Sequence, residues 1–229
     1  MSKIVVANWK GKITTEADAV ALARGSDREG MVICPPHAFL DDVGAALSHA
    51  SLGAQDYAPD LAVRGATYVI IGHSDRRREG ETDDVIAEKL ALAVSDGLVP
   101  VLCVGEVRAE RDLGQTHEVL KRQIATALSR ITMGHPSIFI AYEPVWAIST
   151  TPGAELANPT DVAHTIAFIE KEVLHGGYPA VVSYLYGGSV TASTALGFLE
   201  KKDILGLLVG GASLNEKEIT TIWQQAQEA

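Results

Sequence analysis

Ser137-Ile138-Phe139-Ile140-Ala141-Tyr142-Glu143-Pro144-Val145-Trp146-Ala147-Ile148 is an apolar run that ends in a carboxylate, a stiffening proline and an apolar loop. A buried strand that stops on Glu143 places a general base where a pocket would open. The same grammar recurs along the chain. Short apolar runs near 3–8, 30–34, 51–55, 67–71, 99–103, 137–142, 180–185 and 204–209 read as strands. Amphipathic segments near 15–24, 39–49, 82–96, 114–131, 159–175, 190–200 and 214–227 read as helices between them. Such alternation belongs to βα units around a parallel sheet.

The polar residues choose between a closed (β/α)8 barrel and an open doubly wound sheet. Asn8 and Lys10, Gln55, His73, Glu106, Glu143, Gly187-Gly188-Ser189 and Gly210-Gly211 all fall at or just past the C-terminal ends of separate runs. A closed barrel gathers every such end on one face, whereas an open sheet gathers only those at its switch point. The fold class expected is therefore α/β, a (β/α)8 barrel. Its third unit is trimmed, since only Asp56 to Ala66 separates the third run from the fourth, and a one-turn helix around Asp60–Arg64 is all that fits.

With 229 residues, 47% of them hydrophobic, the chain matches one barrel domain over 1–229 better than two small domains. A net charge of -10 and the absence of a basic stripe argue against nucleic-acid or anionic-membrane partners. Cys34 and Cys103 lie far apart beside strand-like residues and read as buried reduced thiols. Met1-Ser2-Lys3 leads into an apolar stretch too short for a signal peptide, and no run is long enough to span a bilayer. A cytoplasmic protein is expected.

Two strands end alike, in Tyr186-Gly187-Gly188-Ser189-Val190 and Val209-Gly210-Gly211-Ala212-Ser213. Paired glycines between a strand and a helix let backbone N–H groups approach a phosphate, and strands seven and eight of such barrels often carry that site. His73, at a strand end beside Ser74-Asp75-Arg76-Arg77, is placed to donate a hydrogen bond to a carbonyl; the arginines read as a solvated face. Lys10, two residues after Asn8, points with it into the barrel mouth by strand alternation and supplies the positive potential an anionic substrate needs. No His, Cys, Asp or Glu cluster has metal-ligand spacing, so neither a metal nor a cofactor is expected.

Asn8-Trp9-Lys10, Gly72-His73-Ser74, Cys103-Val104-Gly105-Glu106, Ala141 to Ile148, Tyr186 to Val190 and Leu208 to Leu214 together resemble the triosephosphate isomerase family, in order and over essentially the whole chain. The resemblance implies a TIM barrel that interconverts dihydroxyacetone phosphate and D-glyceraldehyde 3-phosphate through an enediolate, a step of glycolysis and gluconeogenesis. It assigns proton transfer between the carbons to Glu143, polarisation of the carbonyl to neutral His73, and stabilisation of negative charge to Lys10 and Asn8. Ser149, Ser189, Gly210, Gly211 and Leu208 would hold the substrate and its phosphate, with Asp75, Ser74 and Cys103 in support. The lid that starts at Pro144 would close over the substrate and exclude water.

Three departures from the family stand out. The long third loop, which reaches into a neighbouring subunit, has no counterpart between Gln55 and Tyr68. That leaves a homodimer without the usual interlock, a monomer or an altered oligomer. Asp75 replaces a Glu. The lid carries Ser149 for Gly and Thr151-Pro152 for Gly-Lys, and is longer by about three residues, an extension that costs little stability. The alternative to an isomerase is a catalytically weak or idle homologue that binds triose phosphates.

Overall fold

The computed structural model describes residues 3–132 and 135–229. Met1, Ser2, Met133 and Gly134, which fall within the expected barrel domain and, for the first two, within the leader reading, lie outside the described residues. The elements run β1 (Ile4–Asn8), α1 (Glu16–Ser26), β2 (Met31–Cys34), α2 (Leu40–Ala46), β3 (Ser51–Ala54), β4 (Tyr68–Ile71), α3 (Ser74–Arg78), α4 (Asp83–Ser95) and β5 (Val99–Val104). They continue as α5 (Arg108–Asp112), α6 (Thr116–Leu128), β6 (Ser137–Tyr142), α7 (Pro159–Gly176), β7 (Val181–Tyr186), α8 (Ala195–Leu199), β8 (Gly206–Val209) and α9 (Glu216–Glu228). The strands form one closed parallel barrel in sequence order, and β1 pairs with β8 to complete the ring.

Strand alternation divides the apolar residues into two layers. Val6, Val32, Cys34, Ile70, Val101, Cys103, Ala141, Leu185 and Leu208 fill the barrel interior. Their neighbours Val5, Ala7, Ile33, Val69, Ile71, Leu102, Val104, Ile140, Leu207 and Val209 face outward onto the helices. Because Asn8 and Glu143 continue the inward rows of β1 and β6, parity alone delivers both side chains to the mouth. Helix starts follow capping chemistry: Thr15, Thr82, Asn158 and Asn215 each accept a first-turn backbone N–H. Pro159 occupies the first turn of α7, and Gly177 ends that helix at φ 60°.

Every expected strand is present, with ends displaced by two residues at most. The helices differ more. The segment expected as a helix over 190–200 is helical only in α8. Thr191 and Thr194 bond to each other, Thr191 N–H to Thr194 Oγ1 at 3.0 Å and Thr194 N–H to Thr191 O at 3.1 Å, and these local bonds hold the chain in a turn. The helix expected over 39–49 stops at Ala46 because the Asp27 carboxylate takes the N–H groups of Ser48, His49 and Ala50 at 2.8, 2.9 and 2.7 Å. Helices α3 and α5 have no counterpart among the expected segments.

The trimmed third crossover makes the single turn expected around Asp60–Arg64, closed by Arg64 N–H on Asp60 O at 3.1 Å, with Leu61 fully buried. It is fastened to its own barrel. Asp56 pairs with Lys89 of α4 at 2.7 Å, Tyr57 donates to Asp96 at 2.7 Å, and Arg64 grips Asp41 of α2 at 2.9 and 3.0 Å.

At the closing seam, the buried Lys3 ammonium donates to the carbonyls of Leu199 and Ile204. Burial lowers the pKa of this amine. Ser213 adds a second tie, its hydroxyl donating to Gly210 O at 2.6 Å and lying 3.2 Å from Asn8 O.

Candidate active site

Glu143 is almost completely buried and holds two partners. Its Oε2 accepts the Ser74 N–H at 3.1 Å, and its Oε1 lies 3.2 Å from His73 Nε2. The tautomer follows from the other ring nitrogen. His73 Nδ1 accepts the Asp75 N–H at 3.1 Å, as the cap of α3, so it offers a lone pair and the proton sits on Nε2. That N–H points at the carboxylate. Acid, base and the turn that carries them thus form one hydrogen-bonded unit.

Glycine is required for a specific reason at two positions. A Cβ on Gly187 would come within 2.8 Å of Glu143 Cγ, so the first glycine of that pair makes room for the base. Gly72 adopts φ +70°, a backbone region that β-carbons resist, and this turn reorients the chain just before His73.

Lys10 carries its own strain, with φ 51°. Its N–H donates to Asn8 Oδ1 at 2.9 Å, and its carbonyl accepts from Gln55 Nε2 at 2.7 Å, an amide that also reaches Cys34 O at 2.9 Å. The sequence marks Gln55 only as a polar strand end; in the fold it braces the lysine. Lys10 Nζ lies 3.3 Å from Asp75 Oδ2, so the shorter carboxylate still reaches the ammonium. Burial raises the Asp75 pKa, but His73, Lys10 and Arg78 outweigh it and hold the carboxyl below its ordinary value.

A cavity of about 570 Å³ opens at this face. Asn8, Lys10, His73 and Glu143 line it together with Ser149, Gly187, Ser189, Leu208, Gly210 and Gly211. Ser74, Asp75 and Cys103 stand behind this lining. Ser74 holds Glu143, Asp75 holds Lys10, and Cys103 is fully buried beside the base, its thiol pushed well up by burial and then by the charge on Glu143. Ser189 N–H is engaged with Ala147 O at 3.3 Å, so an anion bound there must replace the lid carbonyl. A second cavity of about 350 Å³, bordered by His37, Gln55, Tyr57 and Asp75, lies on the far side of Lys10, next to the trimmed crossover.

The lid is anchored by a residue whose role the sequence does not reveal. Glu106, fully buried, accepts from Trp146 Nε1 at 2.8 Å and from the Tyr142 hydroxyl at 3.2 Å, while its carbonyl takes the Val145 N–H at 3.0 Å. Farther out, Arg111 of α5 stacks over the Trp146 ring at 3.5 Å, and Arg108 reaches Gly153 O at 3.3 Å and Glu155 at 3.1 Å. Ser149 is exposed and is absent from the positive-φ positions, so it does not take the left-handed conformation open to a glycine. Among the described residues, no group of His, Cys, Asp and Glu could hold a metal ion, and no helix is long and apolar enough to cross a membrane.

Comparison with known proteins agrees with this geometry. The family model described as triosephosphate isomerase matches residues 3–226. The chain is 40% identical to the triosephosphate isomerase of Moorella thermoacetica, with 96% of each chain covered. It is 37% identical to that of Delftia acidovorans, over 98% of this chain and 99% of the other, and 39% identical to that of Pseudomonas aeruginosa, over 97% and 98%. A closed eight-stranded barrel, a carboxylate bonded to an imidazole at its mouth and these matches place the chain in the triosephosphate isomerase family.

Proposed function

We propose that this chain interconverts dihydroxyacetone phosphate and D-glyceraldehyde 3-phosphate. The observation that carries the reading is the convergence of Glu143, His73 and Lys10, remote in sequence, on one cavity that two glycine pairs also line. Glu143 takes a proton from the carbon beside the substrate carbonyl, and the electron pair moves onto oxygen to give an enediolate. The Nε2–H of His73 and the Lys10 ammonium stabilise that oxygen as charge builds, with Asn8 beside them. His73 gives its Nε2 proton to that oxygen and takes up the hydroxyl proton of the neighbouring carbon, whose oxygen becomes the new carbonyl, and Glu143 returns its proton to the carbon that bore the old one. The phosphate lies against Ser189, Leu208, Gly210 and Gly211, with Ser149 brought in by the lid.

In the present form Glu143 occupies the Nε2–H that a substrate carbonyl needs. Substrate must displace the carboxylate from His73, and the lid, continuous with Glu143 through Pro144, is the segment that carries it. A coupled isomerase assay on the wild-type chain, run with both trioses and with longer sugar phosphates, tests the reading. Turnover no faster than that of Glu143→Gln would leave only a triose-phosphate-binding protein, the reading that the altered lid favours.

The same proposal treats residues 1–229 as one barrel domain working in the cytoplasm, where the two buried free thiols stay reduced. Of the states that the missing third loop leaves open, a homodimer without the usual interlock, a monomer or an altered oligomer, it takes the monomer as the one to test first. Lys10 is braced by Asn8, Gln55 and Asp75 of its own chain, and the trimmed crossover is bonded to its own helices. Light scattering at micromolar concentration is expected to give the monomer mass, and specific activity is expected to stay constant on dilution; a stable dimer that loses activity when diluted would reverse this.

A further inference from the structure

Three consecutive arginines succeed the His73 turn, and they do not share one fate. Arg76 and Arg78 are 41% and 66% exposed and pair with Glu79 and Asp75, whereas the Arg77 side chain is only 18% exposed. Its guanidinium spends its donors inward: Nε on Gly72 O at 2.9 Å, Nη2 on Cys103 O at 3.2 Å and Nη1 on Asp83 at 2.6 Å. The solvated-face reading of these arginines fails at this one position.

Both carbonyls lie next to groups that carry the chemistry. The Gly72 carbonyl belongs to the peptide that begins His73, at a turn with φ +70° that no strand pattern enforces. Cys103, the next-to-last residue of β5, lies close to Glu143, whose charge its thiol feels. A guanidinium is planar, with donors in a fixed fork, so one group bonded to both carbonyls fixes the two strand ends relative to each other. An ammonium is a single point on a flexible stem and cannot span them in that way.

We infer that Arg77 is a positioning residue for the proton transfer: its guanidinium ties the peptide before His73 to the end of β5, close to Glu143, and so sets the imidazole against the base. Arg77 touches neither the cavity nor its lining side chains, and the inference rests on the isomerase reading of that cavity.

Arg77→Lys, which keeps the charge and loses the fork, is expected to lower kcat by about 10- to 100-fold, as a misplaced reacting group does. KM should stay within about twofold, since phosphate contacts are untouched. The 15N-detected signal of His73 Nε2–H should shift or broaden in the variant. Asp83→Asn leaves both carbonyl contacts in place and is expected to hold kcat within about threefold of wild type. Equal losses in the two variants, or an unchanged kcat and His73 signal in Arg77→Lys, would overturn the inference. If Arg77→Lys does not fold, the wild-type Arg77 Nε–H decides: a resolved, slowly exchanging proton supports the anchorage and a solvent-averaged one overturns it. Wild type without turnover removes the isomerase reading, and the His73 signal still reports on the clamp.

Discussion

Glu143→Gln lowers kcat by about 10²- to 10⁴-fold, the range spanned by a positioned general base. The amide has the shape of the carboxylate, and its oxygen can still accept the Ser74 N–H that now lies at 3.1 Å. What it cannot do is take a proton from carbon. Binding is made elsewhere, by the glycine pairs and Lys10, so KM is expected to move by no more than about threefold, the pattern of an interaction used only in the transition state. Two measurements check this: steady-state kinetics in both directions, and the rate at which substrate hydrogen exchanges with deuterated water. Both must fall together. A loss under about tenfold would move the base away from Glu143.

Lys10→Met removes the ammonium and is expected to cost about 10²- to 10³-fold in kcat, similar to deleting one preorganised donor to a developing oxyanion. KM should rise as well. The Asp75 carboxylate, 3.3 Å from Lys10 Nζ in the wild type, keeps its charge in the variant and faces an incoming phosphate of the same sign. Adding Asp75→Asn relieves that repulsion, so the double variant should regain part of its substrate affinity while kcat remains low. This split separates two jobs of the lysine, attracting the anion and stabilising the enediolate. Turnover by Lys10→Met within about fivefold of wild type would assign the second job to other groups.

The barrel is legible in the sequence because inward and outward rows alternate along the strands, and because most strands run into a polar residue or a glycine pair. Glu143 and Asn8 inherit their directions from that alternation. His73 and Lys10 do not, since each depends on a backbone turn with positive φ that no hydrophobic pattern encodes. The braces are hidden for a related reason. Ser-Asp-Arg-Arg-Arg in α3 and Arg-Ala-Glu-Arg-Asp in α5 have almost no apolar residues, so periodicity carries no sign of a helix, yet these segments hold Arg77, Arg108 and Arg111. Gln55 and Glu106 are visible as residues, but their roles depend on partners distant in sequence. The paired glycines signal a phosphate site by type, although Gly187 is also required by the bulk of Glu143.

The seam between β1 and β8 has a consequence for how the protein comes into being. Asn8 ends the first strand to leave the ribosome and Lys10 follows it, while Leu208, Gly210 and Gly211, their neighbours across the β1–β8 pairing, come with the eighth. The contacts between these groups join the first strand to the eighth, so the ring closes against a large loop entropy and only after all eight strands have been made. Lys3, bonded to the carbonyls of Leu199 and Ile204, fastens the closed seam that brings both strand ends to one pocket. A phosphorylated ligand therefore binds only the closed ring and draws nascent or partly opened chains toward it by mass action. The metabolite pool becomes a chaperone for the enzyme that turns it over.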